Sequence, residues 1–205
     1  MNQLENFFSK NNSAELYAKE YINYLSDVFA QISLEDISKF INKLIDARNK
    51  SSTVYFIGNG GSAATASHFA NDLAIGTRSH NLPLKAVSLC DNNAILTAIA
   101  NDYGYDQIFQ KQLEVILKPE DLVVAISASG NSTNLINAIN FANSRQVCTI
   151  GLTSFDGGKL KKISNLSVHI PALKGEYGPA EDGHMMLDHL VGSYLTYFFK
   201  ASDNS

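Results

Sequence analysis

A short apolar run that ends in a glycine cluster, followed at once by small residues at helical spacing, leaves a chain few options. Thr53-Val54-Tyr55-Phe56-Ile57 is β-branched and aromatic on both of its alternating faces, as in a strand buried inside a parallel sheet. Gly58, Asn59, Gly60 and Gly61 follow, then Ser62 and an alanine-rich stretch to Asp72. The glycines tolerate positive φ and let another molecule approach the backbone. Ser62 is placed to cap the helix that follows, and the N–H groups at that helix start form a ready anion site. A tight strand-to-helix connection in any α/β protein looks the same. The turn lacks the Gly-Lys-Ser/Thr ending of a P-loop, and its glycine spacing is not that of a dinucleotide fingerprint.

The rest of the chain repeats the strand-then-helix alternation. Further strands are expected at 84–89, 122–126, 147–152 and 166–170, each a short apolar run. Helices are expected after Asp91 as cap, over 106–117, over 133–144 and over 181–200, the last opening just after Pro179. The stretch Asn101-Asp102-Tyr103-Gly104-Tyr105 reads as a turn, and 201–205 as loose chain. Ahead of the first strand, apolar residues at spacings of three and four mark two helices, one after Ser13 and one after Ser33. They carry more apolar surface than one sheet edge covers, so a subunit interface is expected of them; packing on the sheet is the alternative. Alternating elements predict an α/β fold, a doubly wound parallel sheet with helices on both faces.

Hydrophobic residues at 45% and charged residues at 18% place the chain with globular proteins. A formal charge of −4 without a basic run argues against a nucleic-acid groove but leaves room for a local anion site. No run of about 18 apolar residues marks a membrane span, and the N-terminus does not read as a signal peptide. Cys90 and Cys148 sit in apolar segments without CxxC spacing, which reads as reduced, buried thiols and a cytoplasmic location.

A second polar loop follows the third strand: Ser127-Ala128-Ser129-Gly130-Asn131-Ser132. Loops after strand C-termini share one crevice in a doubly wound sheet. Ser127, Ser129 and Ser132 offer hydroxyls, and Gly130 is placed to open an anion nest. With no Lys or Arg in either loop, a monophosphate on a neutral sugar suits them better than a triphosphate with magnesium. Ser132 alone would be read as a helix cap.

Gly58-Asn59-Gly60-Gly61-Ser62 with His68 six residues on, Asn101 to Tyr105, and Ser127 to Ser132 resemble the sugar isomerase (SIS) domain, and within it the phosphoheptose isomerases. The resemblance covers nearly the whole chain. It implies a five-stranded flavodoxin-like sheet, with 51–205 as the SIS domain and 1–50 a helical segment of the same domain that serves oligomerisation. It also implies a homotetramer with active sites between subunits, and conversion of a ketoheptose phosphate to its aldose isomer for surface-polysaccharide precursors. Substrate contacts are implied at Asn59, Gly60, Gly61, Ser62, Asp102, Ser127, Ser129, Ser132 and Glu181.

His68 and Asp72 are four apart and share a helix face. At the matching positions the family has a histidine and a glutamate that bind zinc, the glutamate also serving as base. Glu181 stands where the family has glutamine, and His189 matches its second catalytic histidine. The resemblance thus implies zinc on His68, Asp72, Glu181 and His189, with Asp72 and His189 catalytic. Helical spacing by itself groups Glu181, His184 and Asp188 more tightly, so His184 rivals His189. His80 and His169 read as structural, and an exposed His/Asp pair is often only a local hydrogen bond.

The departures are specific. Asp72 is one methylene short of glutamate, which draws its carboxylate back by about 1.5 Å. Gly178-Pro179-Ala180-Glu181 replaces an acid, an arginine and the glutamine; Gly76 replaces an arginine, with Arg78 near enough to substitute; Ala128 replaces a threonine. These changes keep a second reading open, a non-catalytic SIS-domain module that binds a sugar phosphate and acts through a protein partner.

Overall fold

The computed structural model describes residues 2–10, 12–78 and 82–203. His80 lies outside the described residues. Five strands form one parallel sheet: β1 Thr53–Gly58, β2 Lys85–Ser88, β3 Leu122–Ser127, β4 Cys148–Ser154 and β5 Leu166–Ile170. Their order is β2-β1-β3-β4-β5. Progress across the sheet reverses between β1 and β3, so the switch point of this doubly wound sheet lies at their C-terminal ends. Gly58 pairs with Ile126 in register, which sets the glycine turn beside the serine loop.

Alternation along the strands divides the core. Val54, Phe56, Leu122, Val124 and Ile126 face one helical layer, whereas Tyr55, Ile57, Val123 and Ala125 face the other. The first layer contains α3 (Leu34–Asn49), α4 (Gly61–Asn71) and α9 (Tyr177–Asp203), with α1 (Gln3–Lys10) and α2 (Ala14–Ala30) joined to its outer side. The second contains α5 (Asn93–Tyr103), α6 (Gln110–Ile116), α7 (Thr133–Ser144) and α8 (Gly158–Ile163). Phe69 of α4 stacks on Phe56 at 5.1 Å and meets Phe40 edge-on at 6.2 Å. Burying such a ring contributes about 2–3 kcal/mol, so α4 is firmly seated on the sheet.

Several expectations need correction. The cap of α4 is Gly60 at φ +55°, not Ser62, which sits one residue inside the helix. Of the three glycines in this turn only Gly60 needs positive φ. Gly58 is required instead by close approach: a Cβ there would overlap the Ser62 carbonyl. Asn92, not Asp91, caps α5 by accepting from the Ile95 N–H. Residues 101–103 are the last turn of α5, and Gly104 at φ +98° ends it. The expected helix 106–117 splits into a 3₁₀ turn at Tyr105–Gln107 and α6. The last helix begins at Tyr177, with Pro179 in its first turn where no intrahelical N–H bond is due, and it runs through 201–203.

The N-terminal segment divides its labour. α3 spends Ile37, Phe40, Ile41 and Leu44 on the sheet of its own chain. α2 buries Val28 alone, leaving Leu16 and Ile22 exposed. Its tyrosines hold the start of α9: Tyr21 Oη donates to Asp182 at 2.5 Å, and Tyr24 Oη to Glu176 at 2.5 Å. Glu176 also accepts from the Gln3 N–H at 2.6 Å. Cys90 and Cys148 are unpaired and half-buried, and burial raises both thiols. No helix among the described residues is long and apolar enough to cross a membrane.

Gly58→Ala should cost about 2 kcal/mol or more, because the new methyl meets backbone that cannot yield. Urea denaturation measures this, and a loss under 0.5 kcal/mol would contradict the packing described.

Candidate active site

The two polar turns meet as expected. Asn59 and Asn134 exchange side-chain amide bonds at 2.9 and 2.8 Å, tying the glycine turn to the first turn of α7. Tyr105 Oη donates to the Asn59 amide oxygen at 2.9 Å. Between the turns lies a cavity of about 160 Å³, reached by Asn59, Ser62, Ser127, Ser129, Ser132 and Glu181. Sequence reasoning missed Asn134, a buried amide whose partner lies 75 residues away.

The serine loop is organised differently from a bare nest. The Gly130 N–H donates to Ser127 Oγ at 3.0 Å, and the Asn131 N–H to Ser129 Oγ at 3.3 Å. These amides are therefore committed to hydroxyl oxygens. An oxygen that accepts in this way keeps its own O–H to donate. Ser132 begins α7 without a side-chain cap bond. Gly130 has φ +64°, and a Cβ on it would overlap the Gly157 carbonyl. Helix starts at Gly60 and Ser132 both point their dipoles at this region.

α4 and α9 run side by side in the same direction. Glu181 packs on Gly61, Asp188 bonds His68, and Gly192 faces Asp72; each pair is 120 residues apart. Down this seam, His68, Asp72, Asp188 and His189 bring their ligand atoms within 4.8 Å of one another. Asp188 therefore takes the fourth place expected of Glu181, which lies at the cavity instead. His68 Nδ1 is bonded to Asp188 Oδ2 and stands 3.7 Å from Asp72 Oδ2. The rings of His68 and His189 meet edge-on at 5.2 Å. Burial, with help from the Asp72 charge and against the His68 bond, raises Asp188 to about 6.

Two imidazoles and two carboxylates make a donor set suited to a divalent metal. One observation speaks for such a fit: Asp188 Oδ1 is buried with no hydrogen-bond partner. A buried carboxylate oxygen left bare is costly, and a cation would satisfy it.

The remaining candidates fall elsewhere. Asp102 is exposed on α5, bonded to the Asn101 amide, and does not line the cavity. Arg78 is exposed beyond the π turn Asp72–Gly76. His169 pairs with Thr153 Oγ1 at 3.0 Å and belongs to neither the cavity lining nor the cluster. His184 is fully buried; its ring nitrogens lack hydrogen-bond geometry, although the Thr153 carbonyl lies close enough to favour its cation slightly. It does not join the four-residue cluster that contains His189.

Burial lowers His184 to about 4, with a smaller push from His169. The unfolded chain takes up this proton near 6.5. Stability from neutral His184 is complete above that pH and is lost as pH falls toward 4. Relative to His184→Asn, wild type should lose about 3 kcal/mol between pH 7 and 4. Denaturation at both pH values measures it; a pH-independent difference would contradict the burial.

Comparison with known proteins identifies the family. A family model described as the SIS domain matches residues 16–154. A phosphoheptose isomerase of Geobacter metallireducens is 39% identical over 155 residues, covering 76% of this chain and 81% of its own. The structure of phosphoheptose isomerase GmhA from Neisseria gonorrhoeae aligns with a TM-score of 0.79 at 30% identity, over 88% of this chain and 97% of that one. A phosphoheptose isomerase from Francisella tularensis aligns with a TM-score of 0.83 at 24% identity, over 90% and 99%, and attests the fold. The chain belongs to the SIS-domain family and, within it, to the phosphoheptose isomerases.

Proposed function

We propose that this protein is a sugar-phosphate isomerase that interconverts a ketoheptose 7-phosphate and its aldose isomer, supplying surface-polysaccharide precursors in the cytoplasm. One observation carries the reading: the α4–α9 seam joins a hydroxyl-lined cavity to a cluster of two carboxylates and two imidazoles. The helix rises about 10 Å from Gly61 to His68. An extended seven-carbon phosphate spans about 10 Å at ~1.25 Å per bond along its axis. A chain of that length, anchored by its phosphate at the serines, sets its carbonyl end at the cluster.

Isomerisation needs a base at carbon and an acid/base partner at oxygen. Asp72 takes the proton from C1 of the ketose. His189 gives a proton to O2, and the enediol results. His189 then takes the O1 proton while Asp72 returns its proton to C2, giving the aldose. Ser62, Ser127, Ser129 and Ser132 hold the phosphate, with the Asn59 amide fixed beside them by Asn134. His68, Asp72, Asp188 and His189 would hold a metal, zinc by the nature of the donors. A bound zinc supplies Lewis-acid polarisation of the substrate carbonyl. A second ring nitrogen on His189 and a second oxygen on Asp72 stay available for proton transfer.

The exposed Leu16 and Ile22 of α2 support a role for the N-terminal helices in assembling a homotetramer. Light scattering tests it: a tetramer is expected, and a monomer at micromolar concentration would contradict it.

The decisive experiment is a metal-supplemented assay with sedoheptulose 7-phosphate. Wild type should turn over, and Asp72→Asn should lose at least a hundredfold in kcat with little change in KM. Equal turnover by the variant would remove Asp72 from the chemistry. Tight binding without turnover of any ketose phosphate would favour the non-catalytic module.

A further inference from the structure

One motif of the sequence has no part yet in the site. In the stretch Asn101 to Tyr105, Asp102 is bonded to the Asn101 amide and does not line the cavity. The stretch reaches the site through Tyr105 instead. Gly104 at φ +98° ends α5 and turns the chain, so that Tyr105 opens the 3₁₀ turn that follows. The Tyr105 side chain is 61% exposed, yet its hydroxyl donates to Asn59 Oδ1 at 2.9 Å. Asn59 lines the cavity with Ser62, Ser129 and Ser132. Tyr105 lines a separate open hollow, and Asn59 borders that hollow too. The Asn59 side chain therefore stands between the two spaces.

Its neighbours dictate which way the Asn59 amide faces. The Leu135 N–H donates to Asn134 Oδ1 at 2.9 Å, and a backbone N–H can only donate. That bond assigns the Asn134 oxygen. The Asn134 nitrogen then donates to Asn59 Oδ1 at 2.8 Å, and Asn59 Nδ2 returns a bond to Asn134 Oδ1 at 2.9 Å. Asn134 is only 2% exposed, so water has little access to this pair. A primary amide has two acceptor positions and two N–H donors. Tyr105 and Asn134 fill both acceptor positions of Asn59, and Asn134 takes one N–H. Among the described residues, the one position left unfilled is the second N–H. In two amides paired edge to edge, the outer oxygen position and the outer N–H lie on opposite flanks. Tyr105, from the hollow, takes the oxygen flank.

We propose that Tyr105 and Asn134 are positioning residues for ligand binding, which hold the Asn59 amide so that its second N–H is presented to a phosphate oxygen in the serine cavity. The inference rests on the reading above, in which a phosphate monoester occupies this cavity. A flipped Asn59 amide would turn its carbonyl oxygen to the anion, acceptor against acceptor. The flip would also set nitrogen against nitrogen and oxygen against oxygen across the Asn134 pair. In a lining without lysine or arginine, an N–H donor to a charged oxygen is a large part of what can hold the ligand. The stretch 101–105 thus serves binding through a hydroxyl that acts on Asn59, and not through a carboxylate on the sugar.

The test is calorimetric titration of the full chain with heptitol 7-phosphate, which lacks a carbonyl and cannot turn over. Asn59→Ala should weaken binding about tenfold or more, the loss of a donor to a charged acceptor. Tyr105→Phe keeps the ring and removes only the hydroxyl; it should weaken binding about threefold. Asn134→Leu, similar in size, should weaken it about fivefold. In an Asn59→Ala background neither change should alter affinity by more than about 1.5-fold, because the double-mutant cycle isolates what passes through Asn59. A residue that merely shapes its loop would weaken binding equally in both backgrounds, and that result overturns the proposal. So does wild-type affinity in any of the three single variants. Should Asn134→Leu fail to fold, the Tyr105→Phe cycle decides alone, since that side chain lies at the surface. The underlying reading fails differently: wild type does not bind, or Ser129→Ala/Ser132→Ala binds as tightly as wild type. Either of those results removes the proposal as well.

Discussion

The parallel pairing of α4 with α9 is the constraint on which the site depends. Three contacts at one constant offset, Gly61 with Glu181, His68 with Asp188 and Asp72 with Gly192, fix the two helices in register over their whole shared length. Small residues at both ends let the backbones approach. Phe69 locks α4 to the sheet from beneath through Phe56. A cavity at the top and a titratable cluster lower down are thus held at a set separation. A shift of one residue along either helix would part His68 from Asp188 and strip the cluster of its one buried carboxylate.

The cavity at the upper end of the seam is lined by hydroxyls, an amide and a carboxylate, with no lysine or arginine among the described residues of its lining. Backbone N–H groups donate to the Ser127 and Ser129 oxygens, which leaves each of these hydroxyls its own O–H to donate. Asn59 and Asn134 satisfy each other across the gap between loops, so neither amide must be ordered when ligand arrives. Tyr21 and Tyr24 brace the first turn of α9 from outside. This links the N-terminal helices to the placement of Glu181, beyond any part they take in assembly.

Much of this was legible in the sequence, for physical reasons. Strands buried on both faces must be apolar nearly throughout, so β1 and β3 announced themselves within a residue. The glycine turn and the serine loop were legible because only special residues make such turns. Capping was read less well. Asp91 and Ser62 are the right types for caps, yet Asn92 and Gly60 do the work, since a one-residue shift in chain entry decides which is used. Asp188 and Asn134 earned no place because their partners are 120 and 75 residues distant. Nothing local distinguishes them from ordinary helix residues. Helical register carries Glu181 to the cavity and sets Asp188, seven residues on, against His68. Helical periodicity grouped Glu181, His184 and Asp188 on one face, but it could not tell that His184 turns into the core.

The most direct test of this account is a crystal structure of the protein with heptitol 7-phosphate bound. The phosphorus should lie within hydrogen-bond reach of Ser62, Ser129 and Ser132, and the first two carbons beside Asp72 and His189. A phosphate seated away from the two loops, or a carbon chain leading away from the α4–α9 seam, would contradict it.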